Sequence, residues 1–440
     1  MTEPSSGVVA EVFQNEYLPD GATLVDAVVT VTAGGGAGGV GAGGAGPARA
    51  GAPAAEVIMV DCSGSMSGER IVQARKAAAV AVDTLRDGVA FAVVAGSDWA
   101  QMVYPEQQVL AVAGDATRSA AKQAIRHLKA GGGTQIGAWL TLARELFLAD
   151  RAEIRHAILL TDGRNGESAR TFQAALDQCA GLFVCDSRGV GQNWSAAELI
   201  KVAEALLGTA DGMKDPAGLE ADFRSMIEAA MGKTVAGIAL RLWTPAGARV
   251  RFVKQVHPEI LDLTGRRTDV SARVGDYPTG AWGAESRDYH VSVQLDPGTV
   301  GAIGEEKLAA RVSVVRSDEV LAKGLVRAVW TDEIARSSKL NRRVAHYTGA
   351  AELASAIQEG LAAREAGDTV TATARLGRAV QLATESGRSD TVQLLARVVE
   401  VQDAHTGTVQ LKRRSENKDV DIDAEIAALG SRKTTRMRPS

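Results

Sequence analysis

Apolar and polar positions along the chain change their rhythm at a few definite points. Residues 22–32 (ATLVDAVVTVT) are rich in Val and Thr and partly alternate, which predicts a strand. From Glu56 to about Met231, short apolar runs alternate with longer stretches of helical spacing. Val57–Val60 reads as a short buried strand, and Glu69–Arg86 as a helix with Ile71, Ala74, Ala78, Val82 and Leu85 on one face. Val89–Ala95 and Gln101–Tyr104 predict a hairpin around Gly96-Ser97-Asp98. His156–Leu160 and Gly181–Cys185 read as strands. Asp115–Lys129, Gly137–Ala149, Ala169–Ala180, Ala196–Leu207 and Gly218–Ala230 read as helices. Strands alternating with helices of this length imply a mostly parallel sheet covered on both faces.

Beyond this region the period drops to two. Ile238, Leu240 and Leu242 alternate with Ala239, Arg241 and Trp243, and Tyr289, Val291, Val293 and Leu295 with polar neighbours. Val312, Val314 and the run Leu325–Trp330 continue the pattern, which predicts an antiparallel β-sandwich over 233–331. The strand in the first region, 1–33, stands alone and is free to complete that sandwich. A Gly-rich linker over 34–54 follows it, with ten glycines between 34 and 51. The expected fold is therefore an α/β domain over 55–232, inserted in the β-sandwich. Helical stripes return over 332–405, with Leu353, Ile357 and Leu361 on one, Leu376, Val380 and Ala383 on another, and Val392, Leu395 and Val399 on a third. They predict a C-terminal helical bundle of about three helices. Residues 406–440 are polar, end in SRKTTRMRPS, and read as a flexible tail.

Composition narrows the functional classes. The 440 residues are 45% apolar, 23% charged and only 4% aromatic, ordinary for a soluble globular chain whose core is aliphatic. A net charge of −4 argues against a sequence-independent nucleic-acid binder. No apolar run approaches a membrane span, and MTEPSSGVVAEVFQNEY lacks the basic start and apolar stretch of a signal peptide. The cysteines are Cys62, Cys179 and Cys185, an odd and small number that fits a reducing, cytoplasmic location.

The segment that carries chemistry is VIMVDCSGSMSGER, residues 57–70. An apolar strand ends at Asp61, Ser63 and Ser65 follow at alternate positions in a Gly-containing loop, and a helix starts near Glu69. One carboxylate and two hydroxyls therefore stand at the carboxyl edge of a sheet, where α/β folds bind ligands. Gly131-Gly132-Gly133-Thr134 precedes a helix and presents a third hydroxyl. Ala157–Gly163 (AILLTDG) is a second buried strand ending in an acid, Asp162. Asp61, Ser63, Ser65, Thr134 and Asp162 make an all-oxygen set suited to Mg²⁺, Mn²⁺ or Ca²⁺, with a compact octahedral site favouring Mg²⁺.

These residues resemble the von Willebrand factor A (VWA) domain and its metal-ion-dependent adhesion site (MIDAS), whose pattern is Asp-x-Ser-x-Ser, then Thr, then Asp. The resemblance covers about 56–231 and matches all five positions. It implies a Rossmann-like sheet, direct metal contacts from Ser63 and Ser65, a direct or switching contact from Thr134, and often water-mediated contacts from Asp61 and Asp162. It further implies a non-enzymatic, Mg²⁺-dependent protein-binding module whose metal accepts an Asp or Glu of a partner. More loosely, the whole chain resembles actinobacterial VWA-domain proteins. That likeness suggests a phosphorylatable tail in which Thr434 or Thr435, flanked by Arg432, Lys433 and Arg436, docks a phosphothreonine-binding FHA domain.

Several competing readings lose to this one. Alone, Asp61, Ser63 and Ser65 would serve as a helix cap and turn; Thr134 and Asp162 tip the balance toward a metal. Gly34-x-Gly36-x-x-Gly39 follows a strand, but glycine and proline follow it where a dinucleotide site needs a helix. Gly232-Lys233-Thr234 lacks a P-loop's upstream glycine, since Ile227 stands there. An aspartyl phosphatase needs Asp-x-Asp where this chain has Ser63. The six histidines are scattered, and Cys62 reads as an inert buried thiol. A metal-assisted phosphohydrolase and a scaffold acting through its tail stay open as alternatives.

Overall fold

The computed structural model describes residues 7–34, 52–412 and 418–436. Most of the Gly-rich stretch expected as a linker lies outside the described residues. Contacts divide the chain into two compact units. One, the β unit, draws on Met1–Arg49, Val235–Ser355 and Ser431–Ser440; the other, the α/β unit, on Ala50–Thr234 and Ala356–Gly430. The α/β segment thus interrupts a β unit in the sequence.

The β unit opens with β1 (Val8–Gln14), β2 (Tyr17–Pro19) and β3 (Leu24–Ala33). The first of these is absent from the sequence reading because only Val8 in it is fully buried. The α/β unit follows with β4 (Ala54–Asp61), α1 (Glu69–Thr84), β5 (Ala90–Gly96), β6 (Ala100–Tyr104), β7 (Ala111–Val112), α2 (Asp115–Arg126) and α3 (Ile136–Ala149). It continues with β8 (Ile154–Thr161), α4 (Ala169–Cys179), β9 (Val184–Val190), α5 (Ala196–Leu206), β10 (Ala210–Met213) and α6 (Leu219–Met231).

The α/β sheet has the order β10-β9-β8-β4-β5-β6, with β7 also pairing β5. Its strands from β10 to β5 are parallel, and β6 and β7 run antiparallel to β5. All eight residues of β4 are buried, which explains its unbroken apolar run in a strand covered on both faces. The chain leaves β4 for β5 on one side and later enters β8 on the other. The carboxyl end of β4 therefore lies where the winding reverses and a crevice opens. Two indoles pack directly against glycines of this sheet. Trp139 of α3 lies so close to Gly96 that a Cβ there would strike its ring, and its Nε1 donates to Ser97 O at 2.9 Å. Trp194 packs in the same manner across Gly189 of β9 and Gly212 of β10.

The β unit resumes with β11 (Ile238–Trp243), β12 (Ala248–His257), β13 (Leu261–Asp262), β14 (Thr268–Ser271), β15 (Val274–Pro278), β16 (Glu285–Leu295), β17 (Glu306–Arg316) and β18 (Glu319–Thr331). One sheet has the order β1-β3-β16-β12-β13 and the other β14-β15-β11-β17-β18-β2. The orphan strand of the sequence, β3, lies between β1 and β16, registered from Leu24↔Gln294 to Ala33↔Glu285. Val8 and Val31 of one sheet and Ile238 and Val314 of the other line a common narrow cavity. Pairing is antiparallel except for β2, which runs parallel to β18.

The C-terminal region holds α7 (Ile334–Ser337), α8 (Arg342–Glu365), α9 (Thr369–Glu385), α10 (Ser389–Val398), a hairpin of β19 (Val399–Asp403) and β20 (Thr408–Leu411), and α11 (Lys418–Arg432). The flexible tail expected over 406–440 is therefore corrected: a strand, a helix and a docked segment occupy its described part. Ile260 N–H donates to Arg432 O at 2.8 Å, and Thr434 N–H to Pro258 O at 2.9 Å. Arg436 pairs with the buried Asp288 at 2.6 Å, which also accepts from Tyr347 Oη at 2.6 Å and Thr30 Oγ1 at 2.8 Å. Basic residues that look solvated in the sequence meet carboxylates far away in the chain, a pairing no local pattern reveals.

Inside the α/β sheet, three strands share a buried charge cluster. His156 of β8 lies 2.9 Å from Glu56 of β4 and 3.2 Å from Asp186 of β9. Burial opposes the imidazolium, but the Glu56 and Asp186 charges override it and push His156 up to about 10. Asp186 is also buried, yet its bonds to His156 and to Thr209 N–H hold it below the ordinary 3.8. Burial leaves Glu56 raised. Replacing His156 with Gln should cost about 3–5 kcal/mol, because two buried carboxylates lose their cation. The imidazolium's contribution is whole below 6.5 and fades as pH rises through about 10. Thermal denaturation should show the stability gap between wild type and H156Q shrinking from pH 7 to 10; a gap that widens there would contradict the assignment.

Candidate metal centre

The centre is built from three loops at the carboxyl edge of the α/β sheet. The first follows β4. Ser63 N–H donates to Asp61 Oδ1 at 2.7 Å, which turns the chain out of the strand. A single 3-10 turn, Gly64–Met66, and Gly68 at φ +81° then lead into α1. The second loop is the glycine run before α3, and the third follows β8.

Backbone hydrogen bonds stitch these loops together. Gly131 N–H donates to Cys62 O at 2.7 Å and Gly64 N–H to Gly132 O at 2.9 Å. Gly166 N–H donates to Thr134 O at 2.7 Å. Gly132 has φ +85°, and a Cβ there would lie 2.7 Å from Asp98 Oδ2. That same oxygen accepts Gly133 N–H at 2.8 Å. The left-handed backbone of Gly132 thus favours glycine, and a Cβ at Gly132 or Gly133 would push the Asp98 carboxylate from its place.

The five residues singled out in the sequence come together here. Asp61 and Asp162 are fully buried, Ser63 and Thr134 nearly so, and Ser65 reaches the surface. Ser63 Oγ lies 3.0 Å from Ser65 Oγ, which donates to Asp162 Oδ1 at 2.6 Å. A Cβ built on Gly163 would stand 2.9 Å from Thr134 Oγ1 and 3.6 Å from Ser65 Oγ, so both hydroxyls border one small space. Ser63, Ser65, Thr134 and Gly163 line an open cleft there. Neighbouring oxygens around an octahedral cation with bonds of about 2.1 Å are roughly 3 Å apart, so the spacing of Ser63 and Ser65 fits one edge of such a shell. Among the described residues, no group of three or more His, Cys, Asp or Glu gathers to hold a metal. The oxygens gathered at this cleft belong to hydroxyls and two carboxylates, the donor chemistry that hard cations prefer.

Asp61 has both oxygens occupied, since Oδ2 accepts Thr161 Oγ1 at 2.6 Å. Its place is behind the hydroxyls. Burial pushes its carboxyl up to about 6, against the hydrogen bonds from Ser63 and Thr161 that favour its charge. Burial, with the Asp61 charge beside it, pushes the Cys62 thiol up to about 12, so Cys62 is no thiolate at neutral pH. Three participants escaped the sequence reading. Thr161 and Arg70 stood inside the quoted motifs without a role, and Asp98 stood at the hairpin tip. Only the meeting of separate loops reveals what they do.

Comparisons with known proteins place this geometry. A family model described as von Willebrand factor type A domain matches residues 55–211, and one described as von Willebrand factor type A C-terminal domain matches residues 381–421. The solved structure of von Willebrand factor type A from Catenulispora acidiphila is 46% identical, covers 99% of this chain and 98% of that chain, and superposes with a TM-score of 0.87. The chain belongs to the von Willebrand factor type A family. The ArnB paralog VWA2 from Sulfolobus acidocaldarius shares the fold, with a TM-score of 0.59 at 15% identity over 97% of each chain. An uncharacterized protein of Synechocystis is 30% identical over 230 residues, 50% of this chain and 53% of that relative. The chain thus spans about half the length of the curated relative it matches. The C-terminal family segment takes in the end of α9, α10 and the β19–β20 hairpin, and so extends into the region the sequence reading assigns to a tail.

Two measurements probe the centre of this von Willebrand A domain. In Gly163→Ala the added methyl crowds Thr134 Oγ1, and Mn²⁺ affinity should fall about tenfold, the effect of a displaced ligand or of overpacking by about 1.4 kcal/mol. Unchanged affinity would remove Thr134 from the donor set. Protonated Asp61 opposes a cation, so Mn²⁺ affinity should drop as pH falls through about 6; affinity level from pH 7.5 to 5 would contradict this.

Proposed function

We propose that this protein is a non-enzymatic interaction module that binds a divalent cation, Mg²⁺ in the first instance, and through it an Asp or Glu of a partner protein. The observation that carries the reading is the contact of Ser63, Ser65 and Asp162 at hydrogen-bonding distances beside Thr134, open to a cleft. Ser63, Ser65 and Thr134 would hold the cation, with the buried Asp61 and Asp162 supplying charge behind them. When bound, the cation supplies a positive pole with room for a foreign carboxylate, a charge-assisted contact at a partly dry centre.

The chain's own residues do the positioning. Thr161 and Ser63 N–H fix Asp61 in one orientation, and the stitched loops hold three hydroxyls ready before any ligand arrives. Such preorganisation lowers the ordering cost of binding. Cys62 is protonated and buried, and so supplies no nucleophile for hydrolysis. Of the two C-terminal threonines, Thr434 donates its hydroxyl to Val256 O at 2.5 Å. Thr435 is exposed, and is the one we assign to any phosphate-dependent contact with an FHA domain. No described helix is long and apolar enough to cross a membrane. The three cysteines are free and buried, and we place the protein in the cytoplasm on that ground.

Calorimetry with Mg²⁺, followed by recovery of bound protein from lysate with and without EDTA, tests this reading. Asp61→Asn and Ser65→Ala should each weaken Mg²⁺ binding at least about tenfold, the loss of a charge-assisted contact. Both should abolish EDTA-sensitive recovery. Recovery indifferent to EDTA and to both variants would sink the proposal, and phosphoester turnover lost in Asp162→Ala would replace it with the hydrolase.

A further inference from the structure

We propose that Arg70 tunes this centre: by holding one oxygen of Asp162 it weakens the cation's grip and strengthens the demand for a carboxylate from the partner. The inference rests on the cation-binding reading above. Arg70 Nη1 lies 2.8 Å from Asp162 Oδ2 and 2.9 Å from Ser65 O, while Asp162 Oδ1 accepts Ser65 Oγ at 2.6 Å. The Asp162 carboxylate is thus divided. One oxygen faces the hydroxyls and the other faces a fixed positive charge.

The placement of Arg70 is specific. It is the second residue of α1, where the helix dipole disfavours a cation. Helix stability therefore does not account for it, and the Asp162 contact does. Room for it is made on the far side by Gly191, at φ +80°, where a Cβ would approach Arg70 Nε to 3.1 Å. The other guanidinium at the cleft, Arg164, is paired with Glu365 at 2.7 Å and is half exposed. Asp98 serves the glycine run from behind, through Gly133 N–H.

The charge balance then follows. Asp61 and Asp162 alone would neutralise a dication. With Arg70 against Asp162, the loaded centre keeps about one net positive charge. That charge costs affinity for the cation and favours an anionic ligand at the open face. Arg70 is a positioning and tuning residue that acts through Asp162.

Electron paramagnetic resonance of free Mn²⁺ over the full-length protein reads the first effect. Acetate, titrated into Mn²⁺-loaded protein and followed by water-proton relaxation, reads the second. R70Q should bind Mn²⁺ about tenfold more tightly and acetate about threefold more weakly, the scale expected for one unit charge at partly solvated distance. R70K, which keeps the charge, should resemble wild type in both. R70M keeps the length of the stem and repeats the test should R70Q not fold. If the neutral variants bind Mn²⁺ and acetate both more weakly, Arg70 only props Asp162 and the proposal is overturned while the cation centre stands. If wild type takes up no Mn²⁺, the cation reading fails, and this inference with it.

Discussion

Backbone hydrogen bonds between loops are the constraint on which this centre depends. Side-chain hydroxyls are weak, flexible ligands, and three of them converge only if the chain beneath them is held. Here that support is peptide to peptide: Gly131 to Cys62, Gly64 to Gly132 and Gly166 to Thr134. Each bond joins segments that follow different strands. Gly132 adopts a left-handed backbone, and at 132 and 133 the Asp98 carboxylate occupies the space a side chain would take. The reversal of winding at β4 brings these loops to one edge. Fold and site are thus one arrangement, in which sheet order chooses the loops and main-chain bonds fix their register.

Charge is arranged with the same economy. The buried acids have named partners: Asp61 with Thr161 and Ser63 N–H, Asp162 with Ser65 and Arg70, Asp186 and Glu56 with His156. The His156 cluster runs across three adjacent strands within the same sheet, and leaving it half paired would be expensive. In the β unit, Asp288 gathers Thr30, Tyr347 and Arg436 from far-separated parts of the sequence. That cluster ties the last described residues to the sheet containing β16.

Much of this was legible in the sequence, for local reasons. The apolar run Val57–Val60 marks β4, all eight of whose residues are buried, and oxygen-bearing residues at alternate positions follow it. The glycine run and the strand ending in Asp162 announce themselves by composition. What escaped depends on distant partners. The apolar pattern predicts this strand at 181–185, whereas β9 spans Val184–Val190 and contains Asp186, Ser187, Arg188 and Gly189. These look like a loop. In the structure Asp186 meets His156, Ser187 donates to Leu199 O, Arg188 pairs with Asp222, and Gly189 seats Trp194. The short β10 was hidden in the same way beneath that indole, and the basic C-terminal residues were misjudged because Glu259 and Asp288 lie far back in the chain.

The central claim is that separate loops deliver their oxygens to one cation, and anomalous diffraction from Mn²⁺-soaked crystals tests it most directly. The account predicts a single strong peak beside Ser63, Ser65 and Thr134, with hydroxyl oxygens at about 2.0–2.6 Å. A peak elsewhere on the molecule, with none at this cleft, would contradict it.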